Sequence, residues 1–221
     1  MKNTIIIFFL LFFALKIRAQ QGEITFGFVG GINSSSLIGS DVDSLSNGGS
    51  PKNSNGAVFG MTIDNKMSKY FGLKHELFYS RKNVTLQLND TGNGAFSSKF
   101  KRQYIELFPA SATLYYKGIQ LYAGPYIGIL LNASIQRKDD EGILYTDKSI
   151  YGSAQALGQY SQKMDFGFVA GINYQLANGF NLGARYIQGF VPVIENTSIA
   201  QQWKIYNKNY FFTVGYTFKI Y

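Results

Sequence analysis

The segment Tyr210-Phe-Phe-Thr-Val-Gly-Tyr-Thr-Phe-Lys-Ile-Tyr221 alternates apolar or aromatic residues with small or polar ones. One side of the alternation is wholly apolar or aromatic and comprises Phe212, Val214, Tyr216, Phe218 and Ile220. The other side comprises Phe211, Thr213, Gly215, Thr217 and Lys219. A period of two is the period of a β-strand, so this segment is predicted to be a strand with one apolar face.

Eight strand-like segments can be recognised, each near the length of about 9–11 residues that a tilted membrane strand needs. They span 24–33, 56–64, 69–81, 101–116, 119–131, 164–176, 179–190 and 208–220. Long connections at 34–55, 82–100, 132–163 and 191–207 alternate with tight turns at 65–68, 117–118 and 177–178. Such alternation is typical of outer-membrane barrels. The predicted fold is therefore all-β, an eight-stranded antiparallel up-and-down transmembrane β-barrel with short periplasmic turns and long extracellular loops.

The first 19 residues are predicted to be an export signal that does not belong to the fold. Lys2 gives a positive start, residues 5–15 are almost wholly apolar, and cleavage is expected after Ala19. The apolar run is shorter than the about 20 residues of a spanning helix, which favours a cleaved signal over an uncleaved anchor. The predicted organisation is thus a signal peptide at 1–19 and one barrel domain at 20–221.

The composition excludes several classes of protein. The chain has no cysteine, so disulfides, thiol chemistry and attachment of lipid through cysteine are all excluded. Its formal net charge of +8 falls when the basic residues of the leader are removed, and the remaining cations form no basic stripe that would indicate a nucleic-acid partner. No dinucleotide or phosphate-binding glycine motif occurs between a strand and a helix, and we expect no cofactor.

Within the predicted strands, the alternation puts charged residues inside the barrel and apolar residues against lipid. A slip of one residue would move these charges into lipid, at about 2–4 kcal/mol for each Lys or Arg near the midplane. The charged residues predicted to point inward are Lys74, Glu76, Glu106, Asp165 and Arg185. Because an eight-stranded barrel is filled by its own side chains, a structural network of ion pairs is favoured over a proton or ion relay.

Seven short motifs in chain order resemble the PorT-type outer-membrane β-barrel family of Bacteroidota. They are Phe26-Gly-Phe-Val-Gly-Gly-Ile-Asn33, His75-Glu-Leu-Phe-Tyr-Ser80, Tyr104-Ile-Glu-Leu107 with Pro109, Leu121-Tyr-Ala-Gly-Pro-Tyr-Ile-Gly128, Phe166-Gly-Phe-Val-Ala-Gly-Ile172, Leu182-Gly-Ala-Arg-Tyr186 and Val214-Gly-Tyr-Thr-Phe218. The resemblance covers essentially all of residues 20–221. It implies the barrel fold and an outer-membrane location, and a few members of the family serve a protein secretion system.

The sequence departs from this family at two places. Phe108 stands between the Tyr-x-Glu-apolar run and the proline that usually follows it, which indicates a β-bulge there. The chain also continues past the aromatic matched by Phe218, so either Phe218 or Tyr221 is the terminal aromatic that barrel-assembly machinery would recognise. The resemblance supplies no functional residues.

Candidate sites for chemistry are few. His75 is the only histidine and its position in the alternation puts it on the outer face near the periplasmic rim, which favours packing over catalysis. The acidic loop residues match no defined Ca²⁺ loop and are expected to be solvated, so no metal site is predicted. Trp203 is either an exposed recognition residue or an aromatic of the barrel rim, and the rim is favoured.

The sequence therefore predicts a non-catalytic protein of the outer membrane of a Gram-negative bacterium, with both termini in the periplasm. Its role is expected to be that of a surface scaffold or binding protein, or of an accessory to a secretion system. The expected partners are outer-membrane lipid, the barrel-assembly machinery and a protein or glycan at the external loops. Two alternatives remain, a soluble lipocalin-like carrier and a lipid-modifying outer-membrane enzyme.

Overall fold

A computed structural model describes residues 22–45, 51–90, 94–139, 141–151, 161–195 and 203–220, without the side chains of residues 89 and 90. The export signal predicted for residues 1–19, and its cleavage position, lie outside these described residues. In the described part of the chain, no helix is long and apolar enough to cross a membrane.

The described residues form nine antiparallel strands. These are β1 (Glu23–Ile38), β2 (Lys52–Lys66), β3 (Phe71–Asp90), β4 (Gly94–Tyr116), β5 (Ile119–Lys138), β6 (Leu144–Asp147), β7 (Met164–Gln175), β8 (Phe180–Pro192) and β9 (Tyr206–Lys219). Eight of them close a ring in the order β1-β2-β3-β4-β5-β7-β8-β9, and β9 pairs back onto β1. The short β6 pairs only with the far end of β5. The predicted eight-stranded barrel is confirmed.

One end of the barrel carries the tight turns. Lys117 and Gly118 connect β4 to β5 with φ angles of 46° and 84°. Two consecutive positive φ values define a type I′ turn, whose twist matches that of the flanking strands. The β2–β3 and β7–β8 turns lie at the same end, as do the start of β1 and the end of β9. We call this the turn end and the opposite end the loop end.

The predicted long loop at 82–100 is wrong. β3 and β4 pair in continuous register from Arg81↔Gln103 to Asp90↔Gly94, so this hairpin extends far past the predicted strand ends. The predicted strands end at residue 81 and begin at residue 101, close to the point where the apolar residues of the lipid face stop. Beyond that point the apolar face changes sides, with Val84 and Leu86 buried inside the barrel.

The bulge predicted at Phe108 is present. His75 of β3 stands opposite both Pro109 and Ala110 of β4, because the pairing moves from Lys74↔Ser111 to Glu76↔Phe108. The extra residue changes which positions of β4 point inward, from even numbers up to Phe108 to odd numbers from Ser111 onward. A bulge is the local structure that produces such a change.

The outer wall carries a continuous band of exposed apolar side chains, which we call the apolar belt. On β3 and β4 it runs from Phe71 to Tyr79 and from Ile105 to Leu114. Its most exposed members elsewhere include Phe28, Ile32, Phe59, Leu121, Phe166, Ile172, Leu182, Phe212 and Val214. Nine residues of β3 are about the length that a tilted strand needs to cross the hydrocarbon core.

We call the part of the barrel beyond Tyr79 and Ile105, toward the loop end, the cap. Its interior is an apolar cluster of Leu37, Val42, Val84, Leu86, Phe100, Tyr104, Leu130, Ala133, Ile135, Val193 and Ile205. Its outer face on β3 and β4 carries Arg81, Asn83, Thr85, Gln87, Ser97, Lys99, Lys101 and Gln103. The apolar side of the wall therefore faces lipid in the belt and faces inward in the cap.

Candidate functional site

Inward-pointing residues of the belt region fill the barrel lumen in layers. Nearest the turn end, the ammonium of Lys74 lies 3.4 Å from Asp64 and donates to the side-chain oxygen of Gln120. The hydroxyl of Tyr115 donates to the same Asp64 carboxylate. Each charge in this layer is buried and has a partner of opposite charge or a polar partner, as a buried charge requires.

A second ion pair lies further inside. Arg185 of β8 donates to the Glu76 carboxylate at 2.8 Å, and both side chains are almost fully enclosed. The guanidinium of Arg185 also lies over the ring of Phe78, 4.5 Å from its centroid, and over the ring of Tyr122. Stacking on aromatic faces suits Arg because its planar group is weakly hydrated.

An apolar and aromatic layer blocks the middle of the lumen. It consists of Val29, Val58, Phe78, Phe108, Tyr122, Tyr126, Val169, Ile187 and Phe211. Phe78 meets Phe108 edge to face, with ring centroids 5.8 Å apart. Room for the rings comes from glycines on the paired strands, since Phe78 is the partner of Gly60 and Tyr122 is the partner of Gly171. Side chains thus close the lumen at this level.

The third charged layer lies between the aromatic layer and the apolar cluster of the cap. Lys82 and Glu106 are fully buried and form an ion pair at 2.6 Å, and the Lys82 ammonium lies 4.5 Å from the ring centroid of Tyr104. Asp165 accepts hydrogen bonds from Tyr126 and, at 2.7 Å, from Asn207. The Asn207 side-chain oxygen in turn accepts from Arg102.

The structure places all five of the predicted inward charges in the lumen but does not join them in one network. Arg185 pairs with Glu76, whereas Lys74, Glu106 and Asp165 each have partners outside the predicted set. Three further charged residues, Asp64, Lys82 and Arg102, are lumenal and were not predicted from the sequence. Lys82 was assigned to a loop, although the alternation that continues through Val84 and Leu86 was the signal that could have placed it inside.

Trp203 does not lie on the lipid-facing rim that the sequence analysis favoured. It is half-buried and packs against the apolar interior of the cap, next to the fully buried Ile205. The tryptophan does pack against apolar side chains, as expected, but these side chains belong to the cap and not to the rim of the membrane-spanning wall. It therefore contributes to the stability of the cap.

His75 lies on the outer wall at the bulge, and not at the rim as the sequence analysis expected. Its Nδ1 is hydrogen-bonded to the backbone carbonyl of Pro109, and its pairing partner Ile63 is a belt residue. This contact uses the imidazole to satisfy a carbonyl that the bulge leaves without a partner in the ladder. The hydrogen bond of His75 thus stabilises the bulge.

Three acidic residues at the loop end, Asp41, Asp139 and Asp147, are bound within the loops themselves. Asp41 accepts from the backbone of Lys204, and Asp139 accepts from the backbone of Ile143, each at 2.8 Å. Partial burial raises the pKa of Asp147, but hydrogen bonds from Ser149 and Arg137 outweigh this effect and hold that pKa below its usual value. Among the described residues, no group of three or more His, Asp or Glu side chains is arranged to hold a metal ion.

A shallow groove of about 570 Å³ lies on the lipid-facing wall across β1, β9, β8 and β7. Its lining consists of Gly31, Ile32, Ile172, Tyr174, Leu182, Gly183, Ala184, Phe212, Thr213 and Val214. This lining has no carboxylate, histidine or lysine that could act as an acid or a base. The apolar lining is suited to contact with acyl chains.

A closed eight-stranded ring with an apolar exterior and a filled, charged lumen defines an outer-membrane β-barrel. The chain belongs to the outer membrane protein beta-barrel domain family, whose model matches residues 18–195. A comparison of the sequence with curated proteins finds no match.

Solved structures with a similar fold are outer-membrane barrels. The Ail protein of Yersinia pestis is 13% identical, covers 90% of this chain and 100% of its own, and has a TM-score of 0.46. Neisserial surface protein A is 13% identical with 87% and 97% coverage and a TM-score of 0.49. OprG of Pseudomonas aeruginosa is 16% identical with 90% and 97% coverage and a TM-score of 0.48. At these identities the likeness concerns the fold alone.

Proposed function

We propose that this protein is an outer-membrane anchor that holds a folded β-structured cap at the cell surface, where the cap contacts a protein or glycan partner. The proposal rests on one observation: beyond Tyr79 and Ile105, the apolar face of the barrel wall changes from the outside to the inside. A polar exterior over an apolar core is the pattern of a water-exposed domain, and a continuous hairpin gives that domain a fixed shape.

The orientation follows from the two kinds of connection. In outer-membrane barrels the short turns are periplasmic and the long connections are external. We therefore assign the turn end, with the start of β1 and the end of β9, to the periplasm of a Gram-negative cell. The cap then lies outside the cell, and export relies on the signal peptide proposed for residues 1–19.

The lumen is proposed to be a structural plug. An aromatic layer separates the third charged layer from the other two, and an eight-stranded barrel leaves no space beside these layers for an aqueous path. A proton relay would require a continuous chain of exchangeable groups, whereas Phe78, Phe108 and Phe211 fill much of the layer that such a chain would have to cross. No catalytic role is proposed.

The two alternative functions are less well supported. A soluble lipocalin-like carrier needs a polar exterior around its barrel, whereas the apolar belt covers the outside of this one. A lipid-modifying enzyme needs a nucleophile and a base near the membrane, whereas His75 is bound to the bulge and the lining of the lipid-facing groove has no carboxylate, histidine or lysine that could act as the base.

The resemblance to the PorT-type family supports a narrower version of the proposal, in which the cap serves as an accessory of a protein secretion system. A strain without the gene would then release fewer proteins to the medium, and the barrel with its cap hairpin replaced by a short turn would not restore release. Unchanged secretion in both strains would leave the general surface role and remove the secretion role.

Site-specific photo-crosslinking in living cells tests the proposed surface role. A photoreactive residue at Ser97, on the outer face of the cap, is expected to crosslink a specific partner. The same residue at the adjacent Phe96, whose side chain points into the cap, is the matched control and should give no product. Absence of any product from Ser97 and Thr85, together with ion conductance by the protein in planar bilayers, would replace the surface role with that of a channel.

A further inference from the structure

The outer face of the cap on β2, β3 and β4 concentrates positive charge. Lys52, Arg81, Lys99 and Lys101 are all exposed on this face. Lys99 and Lys101 are two residues apart on one strand, which puts their side chains on the same face about 7 Å apart. We call these four residues the basic face.

The strand register brings the four cations together. Thr85 of β3 pairs with Lys99 on one side and with Lys52 on the other, so these two lysines lie in one row across three strands. Arg81 pairs with Gln103 and is therefore a diagonal neighbour of Lys101. Diagonal neighbours on a sheet are about 7–8 Å apart, within reach of long side chains.

The remaining described positions on this face are neutral. On the outward side of β3 from Arg81 to Leu88, and of β4 from Gly94 to Gln103, the side chains other than the cations are amides, hydroxyls and the methyl group of Ala95. Like charges placed this close repel one another unless an anion lies between them. Such a face is complementary to a ligand that carries several negative charges.

The position of the basic face relative to the membrane indicates which ligand supplies the negative charges. Tyr79, the last aromatic of the belt on β3, stacks on Phe59 at 4.9 Å between ring centroids. The Tyr79 hydroxyl accepts a hydrogen bond at 3.3 Å from Nε of Arg81. Aromatic residues mark the interface between hydrocarbon and headgroups, so Arg81 stands at the level of the headgroups and the lysines stand just beyond it.

We infer that the basic face binds the phosphate groups of the phosphorylated glycolipid in the outer leaflet, the headgroup of lipopolysaccharide. Arg81 offers the planar donor set that suits phosphate, and the three lysines add point charges along the height of the headgroup. The contact orients and steadies one wall of the cap. It does not depend on the partner proposed above, because a lipid contact needs only the barrel in its membrane.

The opposite end of the barrel provides a control. Lys66, Lys69 and Lys219 are cations at the turn end, and Lys219 is paired with Glu23 at 3.0 Å. Neutralising these three changes the net charge as much as neutralising Lys52, Lys99 and Lys101. A difference between the two triple variants therefore reports position and not total charge.

The test measures binding of purified lipopolysaccharide to the full-length mature protein, folded in zwitterionic detergent. The basic-face variant K52Q/K99Q/K101Q is expected to bind at least tenfold more weakly than wild type, because each lysine near a charged membrane surface contributes several-fold to affinity. The control K66Q/K69Q/K219Q should bind like wild type. Dephosphorylated lipopolysaccharide should bind wild type weakly, and added salt should weaken binding of the intact lipid.

Further measurements distinguish the possible sources of phosphate and check that the variants fold. All variants should keep the folded band that shifts on heating in a detergent gel, so that loss of binding is not loss of fold. Competition by millimolar pyrophosphate would show that the face recognises phosphate apart from the lipid, and no competition would show that it requires the assembled headgroup. The inference is overturned if both triple variants bind equally, or if removing phosphate from the lipid has no effect.

Discussion

Lys82 and Glu106 are fully enclosed in the barrel, so each has to replace its lost hydration by contact with the other and with neighbouring rings. The structure provides Tyr104 and Tyr126 on either side of the Lys82 ammonium. Taking a charge out of water is costly, and the pair recovers that cost only while both partners are present. The pair therefore favours one register of β3 against β4 over its neighbours.

Removing one member of this pair should destabilise the barrel strongly. Lys82→Met or Glu106→Met alone leaves an uncompensated buried charge and should lower the free energy of unfolding by about 3–5 kcal/mol. The double variant K82M/E106M should be much closer to wild type, because two apolar side chains of similar size replace both charges. Urea unfolding in detergent measures each difference.

The exposed pair Lys219–Glu23 is the control for that experiment. The ammonium of Lys219 lies 3.0 Å from Glu23, but its side chain is 72% exposed. Lys219→Met should change stability by less than about 1 kcal/mol, since exposed pairs contribute little. Equal effects of K82M and K219M would contradict the assignment of Lys82 to the closed lumen.

Glycine at position 171 makes room for an aromatic ring of the plug. A Cβ at Gly171 would overlap the ring of Tyr122, its partner across β5 and β7. Gly171→Val should therefore displace Tyr122 and cost about 1–3 kcal/mol, as overpacking of a filled interior does. Unfolding in urea provides the measurement, with Gly30→Val as the matched control.

Gly30 faces away from the lumen, and the nearest atom to a Cβ there is the carbonyl oxygen of Val58 at 4.0 Å. Valine is accommodated at this position and adds apolar surface on the lipid side. The control should be neutral. A loss of stability at Gly30 as large as that at Gly171 would show that the aromatic plug is not the cause.

Residue-level predictions succeeded where only the direction of a side chain was needed. The period of two placed Lys74, Glu76, Asp165 and Arg185 inside, and the structure agrees. The period does not give partners, because partners depend on registers that the bulge at Pro109 shifts. A sequence without pairing information cannot show that Glu106 meets Lys82 and not Lys74.

At the scale of the element, the hairpin of β3 and β4 shows why strand ends are hard to predict. The apolar residues change sides between Tyr79 and Val84, so a search for a continuous lipid-facing pattern stops there. The strands continue because the alternation itself is unbroken and only its apolar side has changed. A strand that leaves the membrane therefore shows one unbroken alternation, in which the apolar residues first occupy one face and then the other.

Adjacent residues of this hairpin should respond oppositely to the same substitution. Val84→Asp puts a carboxylate among the apolar side chains of the cap cluster and should loosen it, because burying a charge beside apolar groups is costly. Thr85→Asp adds the same charge on the outer face and should be tolerated. Trypsin cleavage after Lys99 or Lys101 is the readout, together with the emission of Trp203, the only tryptophan.

The belt region should be unaffected by loss of the cap. We expect V84D to show rapid cleavage in the hairpin and red-shifted tryptophan emission, while its remaining barrel still shifts on heating in a gel. T85D should resist trypsin as wild type does. Equal resistance of the two variants would show that the hairpin is held by something other than the cap core.

The pairing of β6 with β5 should depend on acid. Ion pairing and hydrogen bonds hold the pKa of Asp147 below its usual value, so its contribution is present above about pH 4 and is lost as the pH falls through the lower, folded value. At pH 7, Asp147→Asn should therefore increase amide hydrogen exchange over Leu144–Asp147 relative to wild type. The difference between the two proteins should shrink as the pH is lowered further, and Glu141→Gln should match wild type throughout.

At the scale of the whole molecule, the alternation of long connections with tight turns was enough to predict a closed ring of eight strands. Closure follows because eight strands with no unpaired edge satisfy every backbone group in lipid. The cap was not predictable in the same way, since its apolar cluster joins side chains from segments far apart in the chain, such as Leu37, Val84 and Ile205. The sequence identified the membrane part and described the external part only as loops.

Single cysteines can report which side of the membrane each surface faces, because the chain has no cysteine of its own. A membrane-impermeant maleimide should label Ser97→Cys, in the cap, in intact cells. Lys69→Cys, in the β2–β3 turn, should react only after the outer membrane is permeabilised. Phe28→Cys, in the apolar belt, should stay unlabelled in both conditions because lipid covers it.

The three positions together determine the orientation of the barrel and the limits of the belt. Labelling of Lys69→Cys but not Ser97→Cys in intact cells would reverse the orientation and put the cap in the periplasm. Rapid labelling of Phe28→Cys in both conditions would mean that water, and not lipid, surrounds the wall. The expected pattern instead requires a barrel that spans the outer membrane, with the reversal of apolar side at Tyr79 and Ile105 marking its outer surface.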